Sequence, residues 1–156
     1  MVIAVVKYFE KSYEDFSTKL GYHEYLKNGL FDMLKAKIPY VEFIREYPPK
    51  EPSGIDIVGL ERILGKKREI MAIEVLGIAE ETVKKHGLIR SGQMGKIMTD
   101  ISKLLFRSNA PVKVLVFSTI EVRDHIRKMK ERNLKRGYVN WQQIEFYEIN
   151  EFVENL

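Results

Sequence analysis

The sequence predicts an α/β fold, in which a mixed β-sheet carries helices on its faces. Three features support this fold class: a helical segment near the start, two strand-like runs joined by a short turn, and a later alternation of helix and strand. A hairpin followed by such an alternation packs most simply as a mixed sheet covered by helices. The 156 residues, 45% of them hydrophobic, are enough for one compact domain, which we take as residues 1–156.

The first predicted element is a helix over residues 10–37. Apolar residues recur there at helical spacing, Gly21 divides the pattern into a short and a longer part, and Pro39 ends it. Residues 40–47, Y-V-E-F-I-R-E-Y, contain aromatic and β-branched residues that are typical of a strand. The proline-rich residues 48–54 then predict a loop.

Two strand-like runs, residues 55–64 and 69–78, predict a β-hairpin around Gly65. A turn centred on Gly65 would place Asp56 directly opposite Glu74, with both side chains on one face of the sheet. Opposed Cβ atoms in such a pair are roughly 4.5–5.5 Å apart. A bulge or a longer turn would shift this register.

The remainder of the chain alternates between helix and strand after a polar connection over residues 79–92. The predicted elements are a helix over 93–106, a strand over 112–118, a charged amphipathic helix over 120–136 and a strand over 144–149. The strand over 112–118 is almost wholly apolar, as expected for a buried strand.

Composition excludes several classes of site. The chain has no cysteine, so it has no disulfides and no thiolate metal ligands. The apolar run in the opening M-V-I-A-V-V-K is too short for a signal peptide or a membrane span, so we expect a cytoplasmic protein with no membrane partner. The net charge of +4 is compatible with nucleic-acid binding. We find no glycine-rich phosphate loop, nucleophile elbow or zinc-ligand spacing.

Two lone carboxylates in apolar strands are the most informative feature of the sequence. Asp56 lies in G-I-D-I-V-G and Glu74 in M-A-I-E-V-L-G. Charged groups rarely stay in such surroundings unless they are paired or bind a cation. Two like charges at cross-strand distance need a divalent cation, a shared proton or a nearby basic group.

This pattern of a strand with Asp, a short turn and a strand reading Ile-Glu-x-x-Gly resembles the PD-(D/E)xK nuclease superfamily. The R-S-G-Q-M-G-K-I-M segment and the V-K-V-L-V-F strand are also similar to the archaeal Holliday-junction resolvases, and the resemblance covers about residues 22–118. It implies a restriction-endonuclease-like core: a helix, a three-stranded antiparallel meander, a helix and a strand. Here a further helix and strand follow that core.

The resemblance also implies a site. Asp56 and Glu74 match the two strand acids that bind catalytic Mg²⁺ (or Mn²⁺), and Glu24 is the best match to the assisting acid of the first helix. His23 fits the helical phase about as well as Glu24 does. The implied activity is hydrolysis of phosphodiester bonds in DNA.

The sequence departs from the family pattern at the position of the motif lysine, which is Leu76. Two explanations remain open. Lys96, on the next predicted helix, supplies the missing positive charge, or the domain has lost cleavage and binds nucleic acid or a protein partner. A third alternative is a structural domain in which Asp56 and Glu74 form internal salt bridges.

A basic run over residues 127–136, R-K-M-K-E-R-N-L-K-R, is the second candidate functional feature. We predict that Arg127, Lys128, Arg132 and Lys135 contact DNA phosphates. The alternative is a solvated helix end whose positive charges complement the helix dipole. Cutting both strands of a duplex would favour a two-fold homodimer.

Overall fold

A computed structural model describes residues 7–48, 54–77, 91–135, 137 and 140–156. These residues form a mixed α/β structure around one five-stranded sheet, with strand order β1-β2-β3-β4-β5. The first three strands are antiparallel neighbours, and β4 and β5 join in parallel. The mixed α/β class is therefore confirmed. The predicted connection over 79–92 lies largely outside the described residues.

The strands are β1 (Glu42–Tyr47), β2 (Ile55–Ile63), β3 (Lys66–Leu76), β4 (Val112–Phe117) and β5 (Ile144–Glu148). The α-helices in the described ranges are α1 (Lys19–Lys37), α2 (Ser91–Phe106), α3 (Ile120–Lys135) and α4 (Ile149–Glu154). Two short 3₁₀ turns occur at Tyr13–Asp15 and Asn140–Gln143. No helix in the described part of the chain is both long and apolar enough to cross a membrane.

Helix α1 begins after Thr18, whose hydroxyl accepts a hydrogen bond from the amide of Gly21 at 3.0 Å. The helical pattern is therefore interrupted before Gly21, at residues 16–18, and Gly21 itself lies within the first turn of α1. The helix ends at Lys37, ahead of Pro39 as predicted.

Helices cover both faces of the sheet, and each face has its own apolar core. On one face α1 and α4 pack over the side chains of Ile57, Ile73 and Val114. On the other face α2 and α3 pack over Val58, Leu115 and Phe117, among others. The inner strands are buried on both sides, which explains their nearly continuous apolar sequence.

The hairpin turn differs from the prediction by one residue. Ile63 faces Lys66, so the turn consists of Leu64 and Gly65, both with positive φ. Such a two-residue turn matches the twist of the strands it connects. A bulge between Gly59 and Leu60 then adds one residue to β3, and beyond it Ile57 faces Ile73. The bulge thus restores the register that places Asp56 beside Glu74.

Helix α4 was not predicted from the sequence, which indicated a strand as far as residue 149. The strand β5 ends at Glu148 because its carboxylate accepts a hydrogen bond from the amide of Glu151 at 2.9 Å. The side chain of Glu151 bonds back to the Glu148 amide. This reciprocal capping box starts a helix.

Candidate active site

The candidate site lies where β2 and β3 stop bonding to each other. Their ladder ends at the pair of Ile57 and Ile73, whereas β2 continues along β1 and β3 continues along β4. At this junction, carboxylate side chains accept hydrogen bonds from backbone amides in place of the ladder. The Val75 amide donates to Asp56 Oδ2 at 2.9 Å, and the Asp56 amide donates to Glu74 Oε1 at 3.3 Å. The structure therefore brings the two predicted acids together.

Both carboxylates are buried, and their pKa values move in opposite directions. Burial acts to raise the pKa of Asp56, but hydrogen bonds from His23 and the Val75 amide outweigh it, and the net shift is downward. Burial, and then the negative charges of Asp56 and Asp100, raise the pKa of Glu74 to about 10. Without a cation, the neutral form of Glu74 and the charged form of Asp56 are therefore favoured near neutral pH.

From α1, it is His23 that reaches this pair. Its Nε2 donates to the Val75 carbonyl oxygen at 3.0 Å and lies 3.5 Å from Asp56 Oδ2. The hydrogen bond with Asp56 holds the pKa of His23 above its usual value, against the effect of burial. His23 thus anchors the Asp56 carboxylate at the junction.

Glu24, the predicted first-helix acid, forms an ion pair with a lysine. Lys27 Nζ donates to Glu24 Oε1 at 2.8 Å and to Glu46 Oε1 at 2.6 Å. Burial acts to lower the pKa of Lys27, but these two acids and the charge of Asp56 hold it above its usual value. Glu24 is therefore part of a cluster of charges around the buried ammonium of Lys27, and its catalytic role stays a prediction.

Lys103, which was not predicted, approaches Glu74, whereas the catalytic role of Lys96 stays a prediction. Lys103 Nζ lies 3.8 Å from Glu74 Oε1 and 3.9 Å from Asp100 Oδ1. Lys96 is exposed on α2, and its charge acts on Asp100 one turn further along. Burial raises the pKa of Asp100 to about 6, although Lys96 and Lys103 both act to lower it.

Asp100 and Lys103 were not among the residues predicted from the sequence. A usable signal existed, because Lys96, Asp100 and Lys103 follow the i, i+4, i+7 spacing of one helix face. That face adjoins the buried side of α2, where Ile97 and Leu104 are fully buried. Charged residues next to a buried stripe are candidates for a partly buried site.

Leu76 is only 3% exposed and packs in the core that α2 and α3 cover. A lysine at this position would have to place its charge among apolar side chains. The position of the family's motif lysine is therefore part of the core in this chain.

The structure divides the predicted DNA-binding residues into two groups. Arg127 folds back onto the edge strand β5, where it donates to the Phe146 carbonyl oxygen, and it pairs with Glu151 at 2.9 Å. Arg127 therefore connects α3 to β5 and α4. Lys128, Arg132 and Lys135 are exposed on a single face of α3.

The junction offers oxygen ligands for a hard cation. No group of three or more His, Asp or Glu side chains in the described ranges is arranged to hold a metal ion. Mg²⁺, however, often uses only one or two carboxylates, together with water and substrate phosphate. Asp100 Oδ2 is buried and has no hydrogen-bond partner among the described residues. Asp56 and Glu74 are therefore carboxylate donors of the type and number that Mg²⁺ often uses.

Comparisons with known proteins returned no similarity to build on. No family model matches this chain, and neither a curated protein nor a solved structure matches it significantly. A functional proposal therefore depends on the geometry of the site and on the resemblance in its sequence motif.

Proposed function

We propose that this protein is a metal-dependent nuclease that hydrolyses phosphodiester bonds in DNA, with Asp56 and Glu74 holding Mg²⁺ or Mn²⁺. One observation carries the proposal: two buried carboxylates meet where β2 and β3 separate, with basic side chains from α1 and α2 beside them. A restriction-endonuclease-like core is part of the same proposal. The antiparallel β1-β2-β3 meander, α2 and β4 are consistent with that core.

The like charges of the acid pair support a cation at this place. Burial and mutual repulsion raise the pKa of Glu74 to about 10, which means that its charged form is unfavourable without a counter-charge. Lys103 approaches Glu74 only to 3.8 Å, beyond hydrogen-bonding distance. A divalent cation would neutralise both carboxylates, polarise a phosphoryl oxygen and acidify a coordinated water.

The chain's own residues have separate tasks in this proposal. His23 and the Val75 amide fix the orientation of Asp56 through the contacts described above. Lys103 supplies a positive charge that stabilises the transition state at the phosphate, which is the task first predicted for Lys96. Lys128, Arg132 and Lys135 contact the DNA backbone, and a homodimer would allow both strands to be cut.

A cleavage assay on plasmid and branched DNA tests the proposal. We expect wild-type protein to cut in Mg²⁺ or Mn²⁺, and Asp56→Asn to lose at least about 100-fold of that activity because the charge that holds the cation is gone. Lys103→Met should lose activity by a similar factor. Lys96→Met, on the exposed side of α2, should retain it.

The assay also decides between cleavage and the binding-only alternative. The burial of Leu76 at the motif-lysine position favours that alternative. Folded wild-type protein that binds DNA but does not cut it would replace the nuclease proposal with a nucleic-acid-binding domain. If cleavage survives Lys103→Met but is lost in Lys96→Met, the catalytic lysine would be Lys96, as first predicted.

The DNA-binding surface is tested separately, in the presence of EDTA. The triple variant Lys128→Ala, Arg132→Ala, Lys135→Ala should weaken duplex binding and lower the salt slope by about one for each lost phosphate contact. Arg127→Ala should mainly lower stability, because Arg127 holds α3 against β5 and α4. If the triple variant has the wild-type affinity and salt slope, this face of α3 is not part of the DNA interface.

A further inference from the structure

Asp100 is buried, and the proposed function gives it no task. Its side chain is 2% exposed, and among the described residues its Oδ2 has no hydrogen-bond partner. Leaving such a group unpaired costs about 1–3 kcal/mol or more, so a ligand or a structural change is needed to explain it. Asp100 lies close enough to Glu74 for the two negative charges to repel each other.

The positive charge available to these acids is incomplete. Lys103 Nζ lies within 4 Å of both Glu74 and Asp100 but hydrogen-bonds to neither, since the distances are 3.8 and 3.9 Å. The Lys103 ammonium is therefore shared by two buried carboxylates at long range, although the exposed Lys96 also acts on Asp100. Its side chain is 19% exposed, so it can turn towards solvent without unfolding α2.

We propose that Lys103 stands in for the divalent cation in the metal-free protein, and that cation binding displaces Lys103 and recruits Asp100 as a third carboxylate. This inference rests on the proposed function, because the cation is the one held by Asp56 and Glu74. It accounts for the unpartnered Asp100 oxygen and for the long Lys103 contacts together.

The displacement gives the site an order of events. While Lys103 faces Glu74 and Asp100, its charge is directed towards the acids. Once the cation takes its place, the ammonium is released on the more exposed side of α2, where it can meet a substrate phosphate. The cation therefore binds before the nucleic acid, and it prepares the positive group that the phosphate needs.

Calorimetric titration with Mn²⁺ alone tests the inference without any cleavage readout. Lys103→Met should raise the Mn²⁺ affinity about fivefold or more, because it removes an internal competitor. Asp100→Asn should lower the affinity about tenfold or more, as expected for the loss of a coordinating or supporting carboxylate. Lys67→Met, which removes a lysine from the far end of β3, is the matched control and should have no effect.

The outcomes separate this inference from the proposed function. If Lys103→Met and Asp100→Asn both bind Mn²⁺ with the wild-type affinity, Lys103 does not stand in for the cation. That result would leave the Asp56–Glu74 site intact. Weaker binding in Lys103→Met also overturns the stand-in role of Lys103. No binding by wild type and by Lys103→Met overturns the proposed cation site itself.

A second measurement uses wild-type protein and is independent of how the variants fold. An amine-reactive label read out by mass spectrometry should modify Lys103 faster when Mn²⁺ is added, because the cation releases the ammonium. Labelling of Lys67, which pairs with Glu42 on the surface, should stay constant. Equal labelling of Lys103 with and without bound Mn²⁺ would contradict the displacement.

Discussion

The two ends of the β2–β3 hairpin place their charged side chains in opposite environments. At the turn end, Arg68 pairs with Glu61 at 3.4 Å, and both side chains are exposed. At the other end, Asp56 and Glu74 are buried side by side, and burial together with the charge of Asp56 raises the pKa of Glu74. Exposed ion pairs are worth about 0–1 kcal/mol, whereas each buried ion costs several kcal/mol of desolvation.

This difference shows which charges have little effect on stability and which are kept at a cost. The turn end could exchange its charges for neutral polar groups with little change in stability. At the junction end, the charged form of Glu74 lowers stability, because burial and the charge of Asp56 disfavour it. A buried acid that lowers stability and yet occupies a central position in the sheet indicates a functional site.

The largest effect on stability is expected at the junction, in metal-free protein. The Glu74 pKa is raised to about 10, so the folded state keeps a proton that the unfolded state releases near pH 4.5. The stability from this group is complete below pH 4.5 and is lost as the pH rises towards 10. Glu74→Gln removes this loss and should stabilise the protein by about 2–3 kcal/mol at pH 7 in EDTA.

Denaturant unfolding in EDTA at several pH values measures this effect. The unfolding free energy of wild type should fall with rising pH, and that of Glu74→Gln should fall much less. Glu61→Gln, at the turn end of the same hairpin, is the control and should follow the wild-type curve within about 0.5 kcal/mol. A destabilised Glu74→Gln with the wild-type pH dependence would contradict the contrast between the two ends.

A smaller gain in stability is expected from a substitution at the turn. Leu64 is 97% exposed and has a φ of 51°, a left-handed conformation that costs a leucine roughly 1 kcal/mol. Leu64→Asn should raise the thermal midpoint slightly, because asparagine tolerates this conformation and favours such turns. It should not alter metal binding. A lower midpoint would show that the leucine makes a contact that the turn geometry does not explain.

Much of the fold follows from local sequence signals. The order of strands and helices, the hairpin and the end of α1 before Pro39 were all predicted from periodicity and breakers. The pairing of Asp56 with Glu74 was predicted from a turn centred on Gly65. That pairing is present because a one-residue difference at the turn is cancelled by the bulge at Gly59 and Leu60.

The remainder depends on tertiary contacts that no local pattern specifies. Lys96 and Lys103 share a helix face, and only the packing of α2 against the sheet determines which of them approaches Glu74. Arg127 is one of several basic residues in its run, and it is the contacts with Phe146 and Glu151 that distinguish it. Helix α4 depends on a cap formed by Glu148, a residue type that is uncommon in that position.

Titration of the folded protein with Mn²⁺ in a calorimeter tests the central claim most directly. The account predicts one binding event per chain in wild type, loss of that event in Asp56→Asn, and no change in Glu61→Gln at the opposite end of the hairpin. Absence of binding by wild type, or binding that survives Asp56→Asn, would contradict the assignment of a cation to the acid pair.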